Sequence, residues 1–223
     1  MTLNIGDTTI QRMSIIDDDP NVRSVYQYSI EELELEPINE EGPIDDIEGL
    51  IKKTQGISEA AICDYHLRVH NYSRYNGAEL VANLYKNNFP ALLCTKWEDA
   101  SIDEIRPYRR YIPALLRPDE LEPDTINHAL EVIIMEFKGK LSPSRQPWRT
   151  LVHIESIEEI TPNDPFAYVI LPAWDPGEVI RLRLTTMPRE IIDVLSPGKK
   201  LHVQANIGAK RHEEIYFDQW EPD

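Results

Sequence analysis

The sequence predicts an α/β domain built on a doubly wound parallel sheet, followed by a small all-β domain. Three observations carry this expectation. Short apolar runs alternate with segments of helical period up to about residue 140, the pattern of a parallel sheet covered on both faces. The stretch LSPSRQPW (141–148), with two prolines and two serines, has the composition of a linker. Beyond it, 149–223 holds five segments of strand-like alternation and one short helical stretch. A chain of 223 residues has room for both domains.

The elements follow in order. QRMSII is an apolar strand that ends in Asp17-Asp18-Asp19-Pro20. PNVRSVYQYSIEELE places Val22, Val25, Tyr26, Ile30 and Leu33 at helical spacing. A short strand is expected at ELEPI, then a turn at NEEGP and a helix over IDDIEGLIKKT. AAICD is a compact strand ending at Asp64, and GAELVANLYKNN is an amphipathic helix. FPALLCT is a strand ending at Thr95, ASIDEIRPYRRY begins as a helix, and YIPALLRP is a strand ending at Arg117-Pro118. DTINHALEVIIMEFKGK closes the series as a long helix, with Asp124 or Thr125 as its cap.

Bulk properties narrow the function. The formal net charge is −16, with 14 Lys/Arg against 26 Asp/Glu in residues 1–144 and 9 against 13 in 145–223. Such acidity disfavours nucleic-acid binding by the chain as a whole, because phosphate contacts need a local positive surplus. No apolar run has the length of a membrane span, and the first residues lack a signal pattern. A cytoplasmic location without membrane partners is the expectation. Cys63 and Cys94 each sit inside an apolar run and read as small buried hydrophobes rather than a disulfide or metal pair.

In a doubly wound sheet the chemistry gathers at the carboxyl ends of the strands. Those ends carry Asp17, Asp18 and Asp19, then Asp64, Thr95 and Arg117. Crowded carboxylates raise one another's pKa, and a divalent cation held by hard oxygen ligands relieves the repulsion. Alternatively, the three aspartates cap a helix starting near Pro20. On this stretch alone the two readings stand level.

The whole set resembles the receiver domain of two-component response regulators, which has the flavodoxin-like strand order. The resemblance rests on IIDD, on the aspartate of AICDYHL about 45 residues later, on Thr95 in LLCT, and on a basic residue with proline 22 positions beyond it, in LLRP. It covers roughly residues 11–140. It implies that Asp64 is phosphorylated by a histidine kinase and that Asp17, Asp18 and Asp64 hold Mg²⁺, with the backbone carbonyl of His66 completing the protein ligands. Thr95 would then hydrogen-bond a phosphoryl oxygen, and Asp19 remains a cap or spectator. Cation charge suits this chemistry, since phosphoryl transfer draws mostly on positioning and charge neutralisation.

Three departures from the family pattern stand out. Arg117 occupies the position of the family's lysine, and its planar fork is not equivalent to a compact ammonium. Lys96 follows Thr95 where a small residue is usual, so it either blocks the pocket or supplies the missing ammonium. The loop DYHLRVHNYSRYNG is several residues longer than the family's, and Ala114 stands where the aromatic switch residue is expected. Lys96 and Arg117 favour a pseudo-receiver adaptor as the alternative to a phosphorylated regulator. His66 and His70, four apart, read as exposed loop histidines rather than transition-metal ligands. A haloacid-dehalogenase-type phosphatase also opens with IIDDD, but LLRP stands where that family needs an acidic pair. A signalling protein rather than an enzyme is therefore expected.

In the last 75 residues, three strands, the short helix PREIIDVLSPG and two more strands give the order of an oligonucleotide/oligosaccharide-binding (OB-like) barrel, a resemblance of layout rather than motif. Ile180, Leu182 and Leu184 alternate with Arg181 and Arg183, as in a one-layer wall. Arg181, Arg183, Lys199, Lys200, Lys210 and Arg211, with Tyr168, Trp174 or Trp220 as stacking groups, would suit single-stranded nucleic acid. The acidity of the segment favours a solvated outer face, core aromatics and a protein partner instead. No helix-turn-helix pattern is present.

Overall fold

The computed structural model describes residues 2–67, 71–96, 99–161 and 164–221. The chain divides into two compact units, residues 1–97 with 111–140 and residues 98–110 with 141–223.

The first unit opens with a hairpin of β1 (Leu3–Ile5) and β2 (Thr8–Ile10), turned at Gly6 with φ of 63°. Then come β3 (Arg12–Ile16), α1 (Pro20–Glu32), β4 (Glu36–Glu40), α2 (Ile47–Ile57), β5 (Ala60–Asp64), α3 (Gly77–Lys86) and β6 (Ala91–Cys94). After α4 (Asp99–Ile105), which belongs to the second unit, the first resumes with β7 (Leu115–Leu116) and α5 (Pro123–Phe137).

The five strands form a parallel sheet in the order β4-β3-β5-β6-β7, as a doubly wound fold requires. Pro37 is tolerated because β4 lies at the edge. Alternation of side chains sends Met13, Ile15, Ile62, Leu92 and Cys94 into a core shared with Tyr26 and Ile30 of α1 and with Ile126, Leu130 and Ile133 of α5. The other face is covered by α2 and α3.

Local chemistry sets the helix starts. Asp19 caps α1 by accepting the Asn21 amide at 2.8 Å, and Asp46 and Asn76 do the same for α2 and α3. α5 begins without a side-chain cap. Glu122 precedes Pro123 at the first position, so neither Asp124 nor Thr125 fills the role expected of it.

The second unit is an antiparallel sheet of β8 (Trp148–Thr161), β9 (Asp164–Leu171), β10 (Asp175–Arg183), β11 (Lys200–Ala205) and β12 (Phe217–Glu221), with the one-turn helix α6 (Arg189–Ile192) between β10 and β11. The order is β10-β9-β8-β11-β12. Where an OB-like barrel was expected, the described residues form a five-stranded antiparallel sheet with β10 and β12 at its edges. Its core is Val152, Ile154, Val169, Ile180, Leu182, Leu201 and Val203, closed by Ile191 of α6 and by Ile215.

The stretch read as a linker is built into this unit. Arg145 is buried, the Tyr216 hydroxyl donates to its carbonyl at 2.7 Å, and Asn206 donates to the Ser144 carbonyl at 2.9 Å. Composition gave the loop character but not these partners. No helix among the described residues is long and apolar enough to cross a membrane.

Candidate functional site

The parallel register fixes which strand ends meet. Ile16 lies opposite Cys63, Asp64 opposite Cys94, and Cys94 opposite Leu116. Asp17, Asp64, Thr95 and Arg117 therefore leave the sheet along one edge.

Asp17 is 2% exposed. Its Oδ1 accepts the Asp19 amide at 2.7 Å, and its Oδ2 is buried without a hydrogen-bond partner among the described residues. Burial pushes its carboxyl up to about 7; the Asp19 amide opposes this, and the charges of Asp64, Asp18 and Asp19 add to it. Asp64 is half-buried, with Oδ2 accepting the His66 amide at 2.6 Å. Burial pushes it up to about 6, against the His66 amide and with a contribution from Asp18. Asp17 and Asp64 are thus two carboxyls whose shared surroundings resist their ionisation. An unpartnered buried oxygen on one of them is the donor a hard cation would engage. No group of three or more His, Cys, Asp or Glu side chains is assembled for a metal ion among the described residues.

Thr95 is buried, with its amide donating to Leu116 at 3.0 Å and its hydroxyl donating to the Lys96 carbonyl at 3.4 Å. The Lys96 side chain is exposed. Arg117 is exposed at the start of a 3₁₀ turn, Pro118–Glu120, where its amide donates to Glu120 Oε2 at 2.8 Å. Asp19 caps α1 and is exposed, so of the two readings of the aspartate run each holds for part of it. His66 is exposed, and His70 lies outside the described residues. The free thiols are buried. Burial pushes Cys94 up to about 12 and Cys63 well above its ordinary value, which suits packing rather than chemistry.

Three further residues shape the site without a strong sequence signal. Arg23, one turn into α1, donates to the Asp17 carbonyl at 2.8 Å and pairs with Glu41 at 3.2 Å. Gly77 lets α3 begin directly over the acceptor strand, since a Cβ there would stand 1.9 Å from the Asp64 carbonyl oxygen. Its position at the head of a helix was the available clue. Tyr72, from the long loop after β5, donates its hydroxyl to the Glu40 carbonyl at 2.6 Å, and Ser73 forms a bridge with Ile44. The loop is thereby laid against the end of β4. A cavity of about 560 Å³ opens beside Asp18, lined also by Arg23, Glu41, Asp45 and Tyr72.

In the second unit the three arginines of the expected basic set are paired with acids, while Lys200 and Lys210 are exposed and Lys199 is half-buried. Arg181 pairs with Asp103, Arg183 with Asp164 at 3.3 Å and Glu104 at 3.9 Å, and Arg211 with Glu214 at 3.2 Å. Trp174 is tied by its ring N–H to the Ala209 carbonyl at 2.8 Å and packs on the core, while Trp220 stacks on Phe217. Tyr168 lies half-buried opposite Arg181.

No family profile and no curated protein matches this chain. Among solved structures, the chain is similar to response regulator receiver domains, which cover about 55% of it. One is a receiver domain protein from Clostridium thermocellum, 14% identical, covering 57% of this chain and 97% of that one, with a TM-score of 0.44. Another is the receiver domain of a Francisella response regulator, 11% identical, covering 57% and 98%, with a TM-score of 0.41. A third is a response regulator protein from Thermotoga maritima in complex with Mg²⁺ and BeF, 19% identical, covering 48% and 85%, with a TM-score of 0.38.

Proposed function

We propose that this chain is a signalling protein of the response-regulator kind, in which Asp64 accepts a phosphoryl group from a histidine kinase. The observation that carries the reading is the pair Asp17 and Asp64. They are like-charged carboxyls held at the carboxyl edge of a parallel sheet, one with a buried oxygen that no donor among the described residues meets. Asp17, Asp18, Asp64 and the backbone carbonyl of His66 are the groups that would hold Mg²⁺, which supplies charge to neutralise the transferring phosphoryl group. Asp64 acts as the nucleophile: its carboxylate oxygen forms the bond to phosphorus as the donor's bond to phosphorus breaks. The His66 amide holds the other Asp64 oxygen. Thr95, at the neighbouring strand end, is the hydroxyl that would meet a phosphoryl oxygen, with Lys96 or Arg117 as the fixed cation. The chain is on this reading a phosphoacceptor rather than an enzyme, and it works in the cytoplasm.

The output is contact between the C-terminal sheet and a protein partner. The pairing of Arg181, Arg183 and Arg211 with acids supports this over single-stranded nucleic acid. A second reading, an adaptor working without phosphorylation, is favoured by the exposure of both Lys96 and Arg117. Incubation with Mg²⁺ and a small phosphodonor separates the two. A gain of one phosphoryl mass, stable in acid, released by hydroxylamine and absent in Asp64→Asn, is the expected result. An unmodified protein at every donor concentration would establish the adaptor.

A further inference from the structure

The long loop between β5 and α3 is fastened to a strand that is not its neighbour. It leaves from Asp64 at the end of β5, and Tyr72 anchors it at the end of β4. Tyr72 is buried, and its hydroxyl donates to the Glu40 carbonyl at 2.6 Å. The Tyr72 carbonyl accepts the Ile44 amide at 2.6 Å, and the Ile44 carbonyl accepts the Arg74 amide at 3.4 Å. The ring lies against Gly42, where a Cβ would stand 2.7 Å from the ring carbon Cδ2. Any larger residue at 42 would push the ring aside.

The strand order gives this anchor its meaning. β3 lies between β4 and β5, so a loop joining their ends passes the carboxyl end of β3. That is where Asp17 and Asp18 leave the sheet. Glu40, which Tyr72 holds, stands in register with Ile16, the residue before Asp17. From the other side Arg23 of α1, 9% exposed, holds the Asp17 carbonyl at 2.8 Å. Burial pushes the Tyr72 phenol well above its ordinary value; Cys63 and Glu40 add to this, and Arg23 and the Asp17 amide oppose it. The hydroxyl therefore stays a neutral donor. Tyr72 and Arg23 also line the cavity of about 560 Å³ beside Asp18.

We propose that Tyr72 is a positioning residue for the Asp17 and Asp18 carboxylates. It fixes the end of β4 beside the turn that carries them, while Arg23 fixes the same turn from α1. Groups that hold a ligand in place govern affinity nearly as strongly as the ligand itself. Without its hydroxyl, the Glu40 carbonyl loses its donor and the neighbouring turn gains room to shift. The value of this for Mg²⁺ rests on the phosphoacceptor reading, but the positioning itself does not.

Two tyrosine variants of the full chain test it. Tyr72→Phe removes one hydroxyl and keeps the ring on Gly42. Tyr75→Phe is the matched control, because its hydroxyl comes from the same loop but donates to the Asp45 carbonyl at 3.3 Å. The first readout is hydrogen exchange of the Asp19 amide, whose bond to Asp17 Oδ1 reports the set of that carboxylate. It should exchange about tenfold faster in Tyr72→Phe, the scale of one hydrogen bond, and within about twofold of wild type in Tyr75→Phe. The second readout is the Mg²⁺ concentration that gives half the rise in melting temperature. It should increase about tenfold in Tyr72→Phe and stay within about twofold in Tyr75→Phe. Should Tyr72→Phe not fold, Gly42→Ala displaces the ring without removing it and should speed the Asp19 amide likewise. An unchanged Asp19 amide, or equal effects in the two tyrosine variants, would make Tyr72 a loop fastener only and overturn the proposal. A wild-type protein without any Mg²⁺ response would remove the proposed function and leave the exchange comparison to decide the positioning.

Discussion

Asp17 and Asp103 are both buried aspartates, at 2% and 5% exposure, one in each unit. They are treated differently by their surroundings. Asp103 has the guanidinium of Arg181 against it and a second arginine, Arg106, within electrostatic reach. Asp17 has a backbone amide on one oxygen and no hydrogen-bond partner on the other among the described residues. The acids Asp64, Asp18 and Asp19 act on its carboxyl, while the nearby Arg23 guanidinium donates to its backbone carbonyl instead. A buried carboxylate compensated by the protein's own cation is neutralised in place, and it serves to hold α4. One surrounded by acids is neutralised by a proton or by a cation from outside. The difference separates fastening from function better than burial or residue type does.

The largest expected effect bears on the functional side of this contrast. Asp64→Asn should abolish phosphoryl uptake, read by intact mass; persistent uptake would move the acceptor elsewhere and break the comparison at its root. Next is the structural side. Asp103→Asn should destabilise the second unit by about 3 kcal/mol, since it leaves buried guanidinium groups without their counter-charge. Denaturant unfolding measures this, and a loss below about 0.5 kcal/mol would show that the pair is no more than a surface contact.

Asp17→Asn should act with the opposite sign, and pH reveals why. The folded-state pKa of Asp17 is about 7, whereas an unfolded aspartate titrates near 3.9. Between those values the folded chain holds a proton that the unfolded chain has lost. The Asp17 contribution is therefore fully present below about pH 4 and fades as pH rises through about 7. Asn at this position should stabilise the protein by on the order of 2 kcal/mol at about pH 8 and by little at about pH 4. Mg²⁺ should raise the melting temperature of wild type at the higher pH, and Asp17→Asn should lose most of that rise. Melts of both proteins at the two pH values, with and without Mg²⁺, sharpen the comparison. The smallest effect is at Lys96. Its exposure predicts a stability change within about 0.5 kcal/mol for Lys96→Ala. Slower phosphotransfer would make it the substitute ammonium, faster transfer a block, and unchanged kinetics a bystander.

How much of this was legible in the sequence differs between the units. AAICD was read as a strand over 60–64 and is one, because five buried apolar or strand-ending residues leave little choice. The strand-end residues Asp17, Asp64, Thr95 and Arg117 were legible for the same reason. The N-terminal hairpin was not, since two strands of three residues carry no period to detect. ELEPI was placed two residues early, as β4 starts at Glu36. The transfer of 98–110 to the second unit was invisible: an amphipathic helix shows which face is apolar and says nothing of which core it meets. Arg145 shows the limit of composition most directly. In SPSRQPW it reads as a solvated linker residue, yet its guanidinium is spent on two backbone carbonyls. A fragment that begins at residue 145 lacks Asp103, Ile105 and Arg106, so isolating the C-terminal unit calls for 98–110 as well.

The interleaving of the two units also imposes an order on biosynthesis. Arg106 is made well before His212 and Ile215, whose carbonyls receive it. At a synthesis rate of about 5–20 residues per second, the wait is on the order of 5–20 s. During that interval the first unit has its whole sequence in hand by Lys140, while a stretch near its middle, carrying two isoleucines and three arginines, has no sheet to join. Slowing or pausing the ribosome between residues 140 and 215 prolongs the exposure of that stretch, so codon choice there bears on the yield of correctly assembled protein.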